Sequence, residues 1–203
     1  MMHHHHHAAM TASTPAMLMF VTSWTVMTIW MMLPTSLPLL ATFGAVARDR
    51  ADRALLLALV VAGYLAIWSL FGVVVYGVQV ATPRLALGSG AILLLAGLYQ
   101  FTPLKHRCLD KCRSPLSFVI AHWQGRHDRW QALRLGIDHG LFCVGCCWAL
   151  MLLMFVAGMN SVAWMLALAA VMAIEKNVRW GRRLSAPVGV ILLAWGGATL
   201  LSF

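Results

Sequence analysis

Long apolar runs separated by short basic stretches dominate the chain. At 1.5 Å per helical residue, runs able to cross about 30 Å of hydrocarbon cover residues 17–44, 54–80, 86–104, 139–157, 160–176 and 186–203. A backbone in lipid must satisfy its own polar groups, which leaves helices or closed barrels. The pattern therefore predicts an all-α, polytopic membrane protein of about six transmembrane helices. Pro34 and Pro38 sit inside the first run, where they break the helix and free carbonyls. No internal repeat is visible, which counts against an inverted-repeat transporter.

The connection from 105 to 138 is the one sizeable polar element. Ser114 and Pro115 fit an N-cap and a first helical residue. Leu116, Val119, Ile120 and Trp123 then recur at helical spacing, as do Trp130, Leu133 and Ile137. Both segments read as amphipathic helices at a membrane interface, their basic faces toward lipid headgroups or, less readily, an anionic partner.

Composition sharpens this picture. Of 203 residues, 61% are apolar and only 10% charged, against roughly 25% in soluble domains, which excludes an ordinary water-soluble enzyme. The net charge of +9 would raise nucleic acid in a soluble chain, but here the basic residues lie in clusters between apolar runs. With six spans, 14 of the 15 fall on one side and Arg84 alone on the other. That split predicts no nucleic-acid partner, cytoplasmic basic connections and both termini outside. Residues 1–16, with the run His3–His7, read as a leader or tag before a single membrane domain over 17–203. The first apolar run lacks a basic start and reads as a retained span.

The chemistry concentrates where the fourth run begins, at His139, Cys143, Cys146, Cys147 and Met151. At about 100° per residue the imidazole and three thiols share an arc of about 100° on one helix face. Met151 and Met154 continue it on the next turn. Thiolate, thioether and imidazole favour Cu(I), with Zn(II) the alternative, over hard cations that want oxygen. Cysteines in such helices also serve as small packing residues, but three within five residues beside a histidine point to metal or redox chemistry. One helix cannot readily close a tetrahedral site, so ligands from elsewhere are expected.

A second pair, Cys108 and Cys112, is spaced to share one side of a helical turn. Flanking Lys111 and Arg113 are expected to favour thiolate, and a reducing cytosol disfavours a standing disulfide. Met27 and Met31, one turn apart before the prolines, are candidate thioether ligands. Glu175 is placed to pair with Lys176 or Arg179. Asp138 reads either as the N-cap of the fourth span or as an orienting partner of His139. Asn160 reads as a turn residue.

Several separated stretches carry a resemblance: Trp-Met-Met-Leu-Pro at 30–34, Gly-Leu-Tyr-Gln-Phe-Thr-Pro-Leu-Lys-His-Arg-Cys-Leu at 97–109, Cys-Arg-Ser-Pro-Leu-Ser-Phe at 112–118 and His-Gly-Leu-Phe-Cys-Val-Gly-Cys-Cys-Trp-Ala-Leu-Met at 139–151. In that order they resemble the bacterial predicted metal-binding integral membrane protein family, a domain of unknown function, from about residue 20 onward. The resemblance implies a polytopic metal-binding protein of the bacterial inner membrane. It implies Met31, Met32, Cys108, Cys112, His139, Cys143, Cys146 and Cys147 as its motif positions here.

Three functions follow as expectations. The first is a soft-metal binder, for copper above all, acting in delivery, assembly or sequestration with a metal chaperone or membrane enzyme subunit as partner. The second is a thiol oxidoreductase coupled to a quinone. The third is a structural subunit of a larger membrane complex with inert cysteines.

Overall fold

A computed structural model describes residues 4–81, 89–123, 128–157 and 161–201. Arg84, Arg126, His127 and Asn160, and the first residues of the predicted third span, lie outside the described residues. The described chain is helical, with no strand among the described residues.

The first apolar run is two helices and not one. Helix α1 spans His4–Met31, a 3-10 turn follows at Pro34–Ser36, and α2 spans Leu37–Val46. Pro34 supplies the break: α1 ends before it, and the Thr28 carbonyl accepts from the Met32 and Leu33 amides at 2.8 and 3.3 Å. Thr35 closes the turn by donating to the Met32 carbonyl at 2.8 Å. Helix α3 spans Arg53–Ala81, α4 Ser89–Tyr99, α5 Pro103–Cys112 and α6 Pro115–His122. Helix α7 covers Asp128–Leu152, α8 Met154–Ala157, α9 Val162–Asn177, and α10 Ser185–Leu201 after a 3-10 turn at Gly181–Leu184.

Four segments are long and apolar enough to cross a bilayer: Thr14–Met31, Arg53–Ala81, Asp128–Val156 and Gly181–Leu201. Six spans do not emerge. The described helix in the third run has 11 residues and α9 has 16, both short of a full crossing.

The fourth predicted span starts at 139, about three helical turns after the helix that carries it begins at Asp128. The second amphipathic segment is the first half of α7 itself, because Trp130, Leu133 and Ile137 run in phase through Asp138 into the cysteines. Asp138 is thus mid-helix, not an N-cap. Its carboxylate lies 3.3 Å from His122 Nε2 and 3.6 Å from Arg134 Nε, facing away from the role of orienting His139. The first amphipathic helix is α6, with Pro115 at its start, although the Ser114 hydroxyl donates to the Asp110 carbonyl at 3.0 Å instead of capping.

Helix α7 is the hub, more buried than the other three long segments, and it packs most extensively along α3. Gly63 and Gly136 make that crossing possible: a Cβ on either would run into the partner backbone, at the Leu133 and Val60 carbonyls respectively. Two apolar cores flank it. One gathers Trp24, Trp68, Met27, Met31, Met32, Tyr64 and the α7 thiols; the other holds Phe43, Leu56, Val60, Phe118 and Leu135. The Trp24 indole is anchored by donating to the Trp68 carbonyl at 3.0 Å.

Candidate metal centre

All four candidate ligands on α7 turn inward. His139 is 4% exposed, and Cys143, Cys146 and Cys147 are at most 1% exposed, because the face they share points into the larger core. Met151 continues that face, but the helix yields at Leu153, whose carbonyl accepts from the Trp164 indole at 3.1 Å. Met154 therefore belongs to the separate short helix α8, off the register that α7 would have given it, though still buried.

Helix α5 brings the second thiol pair to the first. Thr102 caps it by accepting from the Lys105 amide at 3.3 Å, with Pro103 at its first turn. It docks on α7 at Gly145, where a Cβ would sit 2.6 Å from Cys108 Sγ. That close approach leaves Cys112 Sγ 3.9 Å from Cys146 Sγ, which in turn lies 3.3 Å from Cys147 Sγ. The Tyr99 hydroxyl donates to the Gly145 carbonyl and fixes the end of α4 at the same point. All five cysteines are free thiols. Among the described residues no three His, Cys, Asp or Glu side chains already converge on one point as a metal cage, so the donors are adjacent but not closed around an ion.

Cys143 has polar company that the sequence did not announce. Lys176 Nζ donates to Cys143 Sγ at 3.0 Å and to Thr35 Oγ1 at 3.0 Å, and lies 4.0 Å from Met32 Sδ. The Tyr64 hydroxyl lies 3.1 Å from the same sulfur. Lys176 is 5% exposed, so its amine is held inside the protein beside Cys143, Thr35 and Met32. The proline break in the first run places Met32 and Thr35 there, at the end of α1 and in the turn after it. Met27 and Met31 are buried in the same core. His139 Nε2 is 3.3 Å from Ser36 Oγ, its ring stacks on Tyr64 with centroids 5.7 Å apart, and its Nδ1 is buried without a hydrogen-bond partner.

Glu175 was expected to pair with Lys176 or Arg179, and its ion-pair partner is Lys105 instead. Glu175 accepts from Lys105 Nζ at 2.7 and 2.9 Å and from Ser185 Oγ at 2.8 Å, while the Lys105 ammonium also donates to Gln100. Neighbours on a helix point about 100° apart, so the acid faces α5 and α10 while the lysine faces Cys143. That angle was the available signal. Thiolate character was expected of the pair Cys108 and Cys112 from flanking Lys111 and Arg113, and at Cys108 the surroundings work against it. Burial pushes the Cys108 thiol up, and the Arg113 guanidinium is taken by the Glu175 and Arg179 carbonyls.

The arrangement defines a helical protein whose core collects soft sulfur donors, one of which, Cys143, sits against a buried lysine. A family model described as PpoB2, copper chaperone, matches residues 21–199, and the chain belongs to that family. No curated protein and no solved structure shows significant similarity to it.

Proposed function

We propose that the protein is a membrane-embedded copper chaperone that holds Cu(I) on the α7 thiols and passes it to a protein partner. The observation that carries this is the continuous file of sulfur from Cys112 through Cys146 to Cys147, with the Cys143 sulfur held by a buried lysine one helical turn before Cys147. Soft donors select a soft ion. Charge argues for the oxidation state. Cu(I) bound to two deprotonated thiols carries one net negative charge, which the Lys176 ammonium cancels. A divalent ion on the same pair would leave a net positive charge in a medium where uncompensated charge is costly. Zinc is thereby the weaker alternative. Four of the five thiols are buried, which favours a bare ion over the bulky disulfide partner that a quinone-linked oxidoreductase requires.

Lipid embedding is supported by the exposed apolar surface, including Leu18, Met19, Leu70, Val74, Leu166 and Ile191. The basic connections then face the cytoplasm of a bacterial inner membrane. Placing every basic connection on that one side, with both termini outside, needs the third run and α9 both to cross as well; α4 with 11 residues and α9 with 16 cover about 16 and 24 Å. Metal analysis of purified protein tests the reading. Near-stoichiometric copper lost on Cys143→Ser/Cys147→Ser supports it, and copper retained by that variant overturns it.

A further inference from the structure

The turn between α9 and α10 builds a second site. A cavity of about 560 Å³ there is lined by His106, Arg179, Trp180, Arg182 and Arg183. Three guanidiniums face one space, and the acids nearby do not balance them. Asp110 accepts from Arg182 at 3.0 and 3.2 Å, and Glu175 is committed to Lys105 and Ser185. His106 Nδ1 is buried without a hydrogen-bond partner.

The turn that displays these groups is held in place. Gly181 is buried, and a Cβ there would overlap the Ile174 carbonyl. The Gly181 amide donates to the Val178 carbonyl and the Arg183 amide to the Trp180 carbonyl, both at 2.9 Å. Arg113 fastens α5 beneath by donating to the carbonyls of Glu175 and Arg179. Like charges gathered on a fixed frame repel one another unless an anion joins them, and guanidiniums match phosphate oxygens in pairs.

We propose that this cavity binds a phosphate group, with Arg179 and Arg183 as its principal donors. The indole of Trp180, exposed beside them, suits the boundary between apolar tails and water. The occupant is therefore an anionic phospholipid headgroup, with free phosphate the other source of the same chemistry. The anion site stands apart from the copper reading; only the lipid source rests on the membrane placement proposed above.

The test uses full-length protein in neutral detergent, with thermal unfolding followed against added phosphatidylglycerol, phosphatidylcholine or inorganic phosphate. Phosphatidylglycerol should protect the wild type at a concentration about tenfold lower than phosphatidylcholine. Arg179→Gln/Arg183→Gln should lose that preference, a change on the scale of one charge-assisted hydrogen bond. The equally charged change Arg48→Gln/Arg107→Gln should keep it. Protection by inorganic phosphate, lost in the same variant, supports the site and assigns it to the free anion. Equal protection by both lipids with none from phosphate, or equal loss in the two variants, overturns the proposal.

Discussion

Replacing Lys176 by Met removes a buried charge while keeping the length and apolar stem of the side chain. The ammonium lies 3.0 Å from Cys143 Sγ. At an effective dielectric of about 20 the attraction to a thiolate at that distance is roughly 5 kcal/mol. Most of it is offset by the cost of keeping the ammonium out of water. The residue left resembles a charge-assisted hydrogen bond, about 1.5–3 kcal/mol, or about 10- to 100-fold in retention. Cu(I) bound to two thiolates should accordingly be lost from Lys176→Met to a competing chelator at about 10- to 100-fold lower chelator concentration. Zn(II) retention should rise, because zinc with two thiolates is neutral once the lysine is gone. Lys176→Arg keeps the charge and should keep the copper preference, and unfolding temperatures of the apo-proteins verify that each variant is folded. A folded Lys176→Met with wild-type copper retention and an unchanged copper-to-zinc ratio would refute the charge argument.

Other outcomes follow from the packing and the interfacial charges. Gly136→Ala drives a methyl into the Val60 carbonyl and should destabilise by about 1–3 kcal/mol. Gly77→Ala, with open space around it, should be neutral or slightly stabilising in the same unfolding assay. Breaking the buried pair by Lys105→Met or Glu175→Met alone should cost about 3–5 kcal/mol, whereas Lys105→Met/Glu175→Met together should recover most of it. Purely additive losses would show that the pair is not coupled. Burial, reinforced by the Arg182 charge, pulls His106 below its ordinary 6.5. A depressed histidine contributes stability that is present above about pH 6.5 and lost as the pH falls toward its folded value. His106→Gln should therefore flatten unfolding temperature against pH on the acid side of 6.5, and an identical acid slope in both proteins would dismiss that role.

The helical class and the proline break were legible because hydropathy and proline act locally. The inward face of α7 was legible too, since His139, Cys143, Cys146 and Cys147 fall within one arc and all are buried. The start of α7 was not. Asp138 and His139 look like a polar boundary, yet Asp138 finds Arg134 one turn back and His122 on a neighbouring helix, so the helix passes through without an unpaired charge. Apolar sequence also runs on past the regular helix, as it does past Tyr99 where α4 ends, so an apolar run and a helix need not share their ends. Lys176 was hidden for a tertiary reason. Its adjacent acid invited a local pair, and only the docking of α5 and α10 on Glu175 releases the lysine toward Cys143. At Cys108 the basic influence expected from Arg113 is absent because that guanidinium is taken by the Glu175 and Arg179 carbonyls, while Gly145 lets α7 cover the thiol.

X-ray absorption at the copper edge on the loaded, full-length protein reads the sulfur site itself. Reduced copper with a first shell of two or three sulfurs and no oxygen is expected, dismantled by Cys143→Ser/Cys147→Ser in protein that still folds. A first shell dominated by nitrogen or oxygen, or the same sulfur shell persisting in that variant, would contradict that site.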